Sequence, residues 1–189
     1  MSREVAGDGL RLRRAEPADA SFLAEVASGD EVAPFMAALS PRDVEGFLAE
    51  LERDAADPGA AGRFVIETDE DGMFSPVGSI AFTTANRRSR IAHLHGLMLH
   101  PDARGRGLGR TATVRFAEHL FADLDFHRIE LECYGFNERG IAHFEACGFV
   151  REGVRRQAYL RHGDWVDGVF FGLLREELAC AGWHKKPLI

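Results

Sequence analysis

The stretch Ile91–Ala112, IAHLHGLMLHPDARGRGLGRTA, joins two local patterns end to end. Ile91 to Leu99 is an apolar run that carries His93 and His95, and it reads as a strand. A helical pattern begins at Gly107, with Val114, Ala117, Leu120 and Phe121 on one face. Between them lies a glycine–arginine loop. Where a strand passes through such a loop into a helix, unpaired backbone N–H groups and the positive end of the helix dipole point outward, which makes an anion site. Gly105, Gly107 and Gly109 let the main chain approach a pyrophosphate closely, and Arg104, Arg106 and Arg110 can add charge at the rim. On spacing alone, a tight turn with solvated arginines fits too. A P-loop is excluded because no Gly-Lys-Ser/Thr occurs, and G-x-G-x-x-G would need glycine where Arg110 stands.

Working outward, Leu10 to Arg14 alternates like a strand, and Glu16-Pro17 opens a helix with Phe22, Leu23 and Val26 on one face. Ser40 reads as the N-cap of a second helix with Pro41 at its first position and Val44, Phe47, Leu48 and Leu51 at helical spacing. The segment 57–62, DPGAAG, breaks that helix. Arg63–Glu67, Val77–Thr84 and Ile91–Leu99 then form an antiparallel meander. Ile129–Cys133 reads as a strand, Glu138–Cys147 as a helix stopped by Gly148, and the remainder as two strands joined at His162-Gly163. The order predicts a single-domain mixed α/β sheet, with no internal repeat or linker.

Composition narrows the function classes. The chain has 189 residues, 46% of them hydrophobic and 28% charged, the balance of a globular domain with an ordinary core. A net charge of -7 argues against a nucleic-acid partner, since that binding needs clustered Lys and Arg to neutralise phosphates. Cys133, Cys147 and Cys180 have no CxxC spacing and an odd count, which points to reduced thiols in a cytoplasm. No apolar run suits a signal peptide or a membrane span, so no membrane partner is expected.

Arg104-x-x-Gly107-x-Gly109 resembles the acyl-CoA signature [QR]-x-x-G-x-[GA] of the GNAT superfamily of N-acetyltransferases. The run Asn137 to Phe149, NERGIAHFEACGF, resembles that family's second motif, an Asn opening a helix that ends in Gly-Phe. The terminal EGVRRQAYLRHGDWVDGVFFGLL resembles the branch related to ribosomal-protein N-terminal acetyltransferases. The resemblance implies a domain over residues 9–178, with 179–189 as a tail. Its fold would be a mostly antiparallel central sheet with a splayed parallel strand pair, flanked by about four helices. It also implies acetyl-CoA as acyl donor and no metal. Main-chain groups of the Leu97-Met98-Leu99 segment would bond pantetheine. The loop Arg104-Gly105-Arg106-Gly107-Leu108-Gly109-Arg110 would hold the pyrophosphate, with Asn137 and Phe144 also lining the cofactor.

His93 and His95 are two apart, so both leave one face of a regular strand. They fit ordinary polar positions on a half-buried strand, a metal pair with no obvious third ligand, or a catalytic pair. AHLHGLMLH resembles the matching strand of arylalkylamine N-acetyltransferases, which favours catalysis. Acetylation needs a neutral amine, and imidazole can accept its proton; Ile91–Leu99 holds no carboxylate to do so. Many family members protonate the leaving thiolate with a Tyr where this chain has Phe144. Tyr134, Tyr159, Cys147 or a water could serve instead, with Tyr134 favoured, or the thiolate could leave unprotonated. The loop 27–40 offers Asp30, Glu31, Phe35 and Met36 to an acceptor, which would be a small-molecule amine or a peptide N-terminus. The expected protein is a monomer or homodimer. Phe144 keeps a second class open, a non-catalytic acyl-CoA-binding or sensing protein of the same fold.

Overall fold

The computed structural model describes residues 5–7, 9–36 and 43–180. Its strands are β1 (Val5–Gly7), β2 (Leu10–Arg14), β3 (Ala61–Glu70), β4 (Met73–Asn86), β5 (Ile91–Leu99), β6 (Arg128–Tyr134), β7 (Val150–Arg161) and β8 (Asp164–Leu174). The helices are α1 (Ala20–Ser28), α2 (Val44–Ala56), α3 (Leu108–Ala122), α4 (Glu138–Ala146) and α5 (Arg175–Cys180). One sheet runs β1-β2-β3-β4-β5-β6-β8-β7, antiparallel throughout except where β5 lies parallel to β6. This is the mixed α/β architecture expected, with two additions. β1 pairs with β2 ahead of the first expected strand, and α5 packs Leu178 into the core. One expected cap differs: Asp43, not Ser40, caps α2, its carboxylate accepting from the Gly46 N–H at 2.8 Å. Ser40, Pro41 and Arg42 lie outside the described residues, as do 181–189.

Alternation along the strands divides the core between the two sheet faces. Leu12, Phe64, Ile66, Phe82, Ala92, Leu94, Ile129 and Leu131 pack on one face against Phe116, Ala117 and Leu120 of α3. Each large side chain fully buried there contributes about 1.5–3 kcal/mol. The other face buries Met98 against Leu23 and Val26 of α1 and Phe47 and Leu51 of α2.

A β-bulge decides which residues of β5 face which side. Ser79 pairs with Met98 and Ala81 with His95, so Gly96 and Leu97 together oppose Ile80. Gly96 adopts φ 61°, a left-handed conformation that glycine enters without Cβ strain. The extra residue reverses parity. Before it, Ala92 and Leu94 face the α3 core; after it, Leu97 and Leu99 do, while Met98 turns to α1 and α2.

Candidate active site

β5 and β6 pair only from Ile91 opposite Arg128 to His93 opposite Glu130. Beyond that point they diverge, and a cavity of about 590 Å³ opens between Leu94–Leu99 and Leu131–Tyr134. The splay expected from the resemblance therefore begins immediately after His93. The far end of the gap leads to the glycine loop. Gly105 and Gly107 adopt φ 76° and 77°, and Gly107 is the N-cap of α3. The first helical bond of α3 is Thr111 N–H to the Gly107 carbonyl, so the N–H groups before it lie outside the helical ladder. A Cβ on Gly105 or Gly107 would meet nothing within 4 Å, so the main chain is open to a ligand on that side. Glycine at 109 serves packing instead, since a Cβ there would stand 3.3 Å from Leu99 Cδ1 and 3.4 Å from His143 Cε1. These features fit the anion-bearing, extended arm of a coenzyme A.

The loop arginines divide. Arg104 turns inward: its Nε and Nη2 donate to the Leu99 carbonyl at 3.2 and 3.1 Å, and Nη1 pairs with Glu31. It thereby ties β5 to the α1–α2 loop. Arg106 and Arg110 are exposed. Asn137 caps α4, its Oδ1 accepting from Gly140 N–H at 2.9 Å, while its own N–H bonds the Tyr134 carbonyl at 2.9 Å. Phe144, from the same helix, is buried among Phe149 and Phe171 with one side on the cavity.

The two imidazoles stack with ring centroids 6.0 Å apart and planes 19° from parallel, on the face opposite the α3 core. Alternation in β6 brings Glu130, Glu132 and Tyr134 to that same face, because Ile129, Leu131 and Cys133 enter the α3 core. Burial pushes the His93 imidazole below its ordinary range, and Glu130 and then Glu132 pull it partly back. β5 itself holds no carboxylate, and β6 brings two to the same face as the imidazoles. Tyr159 of β7 donates its hydroxyl to Glu132 Oε2 at 2.7 Å, and burial and that bond raise its pKa. Glu132 Oε1 is buried without a hydrogen-bond partner among the described residues.

Tyr134 stacks on Phe136 at 5.4 Å, meets Tyr159 edge-on at 5.4 Å, and carries the Arg161 guanidinium 4.8 Å above its ring. Its hydroxyl has no hydrogen-bond partner among the described residues, which leaves it to the cavity. Val32, Phe35 and Met36 of the α1–α2 loop close the wall, with Phe35 half-packed on Phe136 at 5.7 Å. Cys133 and Cys147 are buried, and burial pushes their thiols up to about 12 and about 11, which makes neither a nucleophile. Among the described residues, no three or more His, Cys, Asp or Glu side chains converge to hold a metal ion. No described helix is long and apolar enough to cross a membrane.

The lining of this cavity suits acyl transfer, and comparison with known proteins gives the family. Residues 9–150 match the model of the acetyltransferase (GNAT) domain. Spermidine N(1)-acetyltransferase of Vibrio cholerae is 26% identical over 158 residues, covering 84% of this chain and 88% of that protein. The structure of a V. cholerae spermidine N-acetyltransferase in complex with CoA and spermine superposes with a TM-score of 0.77 at 23% identity, covering 92% of this chain and 99% of that one. A dodecameric structure of a V. cholerae spermidine N-acetyltransferase has a TM-score of 0.76 at 23% identity, covering 90% and 96%. That assembly is larger than the monomer or homodimer expected here from sequence. The chain belongs to the GNAT acetyltransferase family. Of the two classes left open by the sequence it is the enzyme, an acetyl-CoA-dependent N-acetyltransferase.

Proposed function

We propose that the cavity at the β5–β6 divergence acetylates a primary amine, a small molecule or a peptide N-terminus, by direct transfer with donor and acceptor bound together. The observation that carries this is the convergence of His93, His95 and Tyr134 on one cavity that Leu97, Met98, Leu99, Arg104 and Asn137 also line. Bound along that strand, acetyl-CoA supplies an acyl thioester as the electrophile. The N–H groups from Gly105 to Arg110, at the start of α3, hold its pyrophosphate, and Asn137 lines the same cavity. His93 or His95 takes the proton of the acceptor ammonium, directly or through a water, as the resemblance to arylalkylamine N-acetyltransferases also suggests. The neutral amine attacks the thioester carbonyl, the C–S bond breaks, and the Tyr134 hydroxyl protonates the leaving coenzyme A thiolate, a proton that Phe144 cannot supply. The domain is taken as 9–178, and the buried unpaired thiols of Cys133 and Cys147 suit a cytoplasmic protein.

Acetyl-CoA incubated with amines, dipeptides and aminoglycosides should give acceptor-dependent thiol release, with the acceptor gaining one acetyl group by mass spectrometry. Coenzyme A binding with no such release from any acceptor overturns the reading. Gly107→Ala should cost only about 1–2 kcal/mol in thermal unfolding, the strain of an L-residue in the left-handed region. Its KM for acetyl-CoA should rise by a larger factor than its kcat falls, because the new methyl group stands where the pyrophosphate approaches the main chain. An unchanged KM would remove the loop from the cofactor site.

A further inference from the structure

Charge in the acceptor half of the cavity is uneven. Among the described residues lining it, Glu132 is the one carboxylate, whereas Arg104 and Arg161 both present guanidinium groups. Arg104 is compensated by Glu31. Arg161, at the end of β7, is not: its Nη2 donates to the Pro34 carbonyl at 3.3 Å and the Met36 carbonyl at 2.9 Å. Its Nε is buried with no partner, and among the described residues no carboxylate pairs with it. Glu25 and Asp43 line the neighbouring groove that Arg161 also borders, yet neither forms an ion pair with it. The guanidinium sits over the Tyr134 ring, Tyr134 touches Tyr159, and Tyr159 bonds Glu132. One wall thus carries a cation at one end and a carboxylate at the other, with two phenol rings between.

We propose that Arg161 recognises a carboxylate on the acceptor, so that the substrate class is an amine that bears an acid group, not a polycation. This rests on the acetyl-transfer reading and narrows it. A polyamine would bring several ammonium groups to a wall that holds one carboxylate and an uncompensated guanidinium, and like charges repel across a low-dielectric cavity. An acceptor with one amine and one carboxylate matches both ends. Two sources supply that chemistry, a free amino acid and a peptide segment with an acidic side chain beside its α-amine.

Matched acceptors test it. Phenylalanine and 2-phenylethylamine differ by the carboxylate, Ala-Asp and Ala-Asn by the acid of a peptide, and spermidine serves as the polycation. With wild-type protein, at least one acid-bearing member of a pair should exceed its partner that lacks the acid group in kcat/KM, and which pair responds identifies the source. In Arg161→Gln, KM for that acid-bearing acceptor should rise about tenfold or more, the scale of a charge-assisted hydrogen bond, while KM for its partner lacking the acid group changes little. Arg161→Lys should restore part of the preference. A merely structural role, holding the Pro34–Met36 carbonyls, would depress all acceptors alike in both variants and overturn the proposal. So would a wild-type preference for spermidine, which leaves acetyl transfer itself intact and stands even if the variants fail to fold. Coenzyme A binding without acceptor-dependent thiol release from any acceptor overturns the acetyl-transfer reading and this inference with it.

Discussion

Arg63→Met is expected to cost about 3–5 kcal/mol of folding free energy in urea denaturation, the range for removing one partner of a buried ion pair. The Arg63 side chain is 0% exposed and that of Glu50 16%. Arg63 Nε donates to Glu50 Oε1 of α2 at 2.7 Å, and its Nη1 donates to Ser79 Oγ at 2.9 Å and to the Gly96 carbonyl at 3.4 Å. The guanidinium therefore links α2 to the bulge that reverses β5. Removing it takes the guanidinium donor from the partly buried Glu50 carboxylate and from the Gly96 carbonyl, which the Ser79 hydroxyl also bonds at 3.4 Å. The same group explains why position 96 is glycine. A Cβ there would lie 2.9 Å from both Nη1 and Nη2, and φ 61° would strain any other residue. Gly96→Ala should accordingly destabilise the wild type strongly, but in the Arg63→Met background it should cost only the backbone part, about 1–2 kcal/mol. Additive effects in that double-mutant cycle would show that the guanidinium does not enforce the glycine. Because the bulge turns Leu97 and Leu99 away from the face of His93 and His95, both single variants should also raise KM for acetyl-CoA.

The elements on which the fold turns were legible because their signals are local. Alternation in Ile91–Leu99, the glycine loop, and the Asn137-to-Gly148 helix each carry their pattern within a dozen or so residues, and each formed where expected. What escaped was set by pairing across the sheet. Gly96 inside an apolar strand is a bulge signal, yet only the register against β4 shows that two residues oppose Ile80. The alternation of Glu130, Glu132 and Tyr134 with Ile129, Leu131 and Cys133 is visible in the chain. That these acids flank His93 follows from the parallel β5–β6 register, which no local pattern encodes. Arg104 is the plainest case of a residue whose role changed. It was expected at the rim of an anion site, and its guanidinium instead bonds the Leu99 carbonyl and Glu31, a contact spanning 73 positions.

Replacing both His93 and His95 with alanine is expected to lower kcat by about 10²–10⁴, the usual worth of a positioned general base, while acetyl-CoA binding is retained. The pH dependence identifies which imidazole acts. A base must be neutral to accept a proton, and burial holds the folded His93 below the ordinary imidazole value of about 6.5. If His93 is the base, kcat/KM stays on its plateau as pH falls through about 6.5 and drops only below that, as His93 becomes protonated. Glu130 and Glu132 stabilise the protonated ring, so Glu130→Gln should move that acid limb to still lower pH without lowering the plateau. His93→Ala should abolish the limb along with most of the rate, and added imidazole should restore part of it. If His95→Ala alone removes the limb and Glu130→Gln leaves it in place, the proton goes to the second ring, and His93 serves only to orient it through their stacked contact at 6.0 Å.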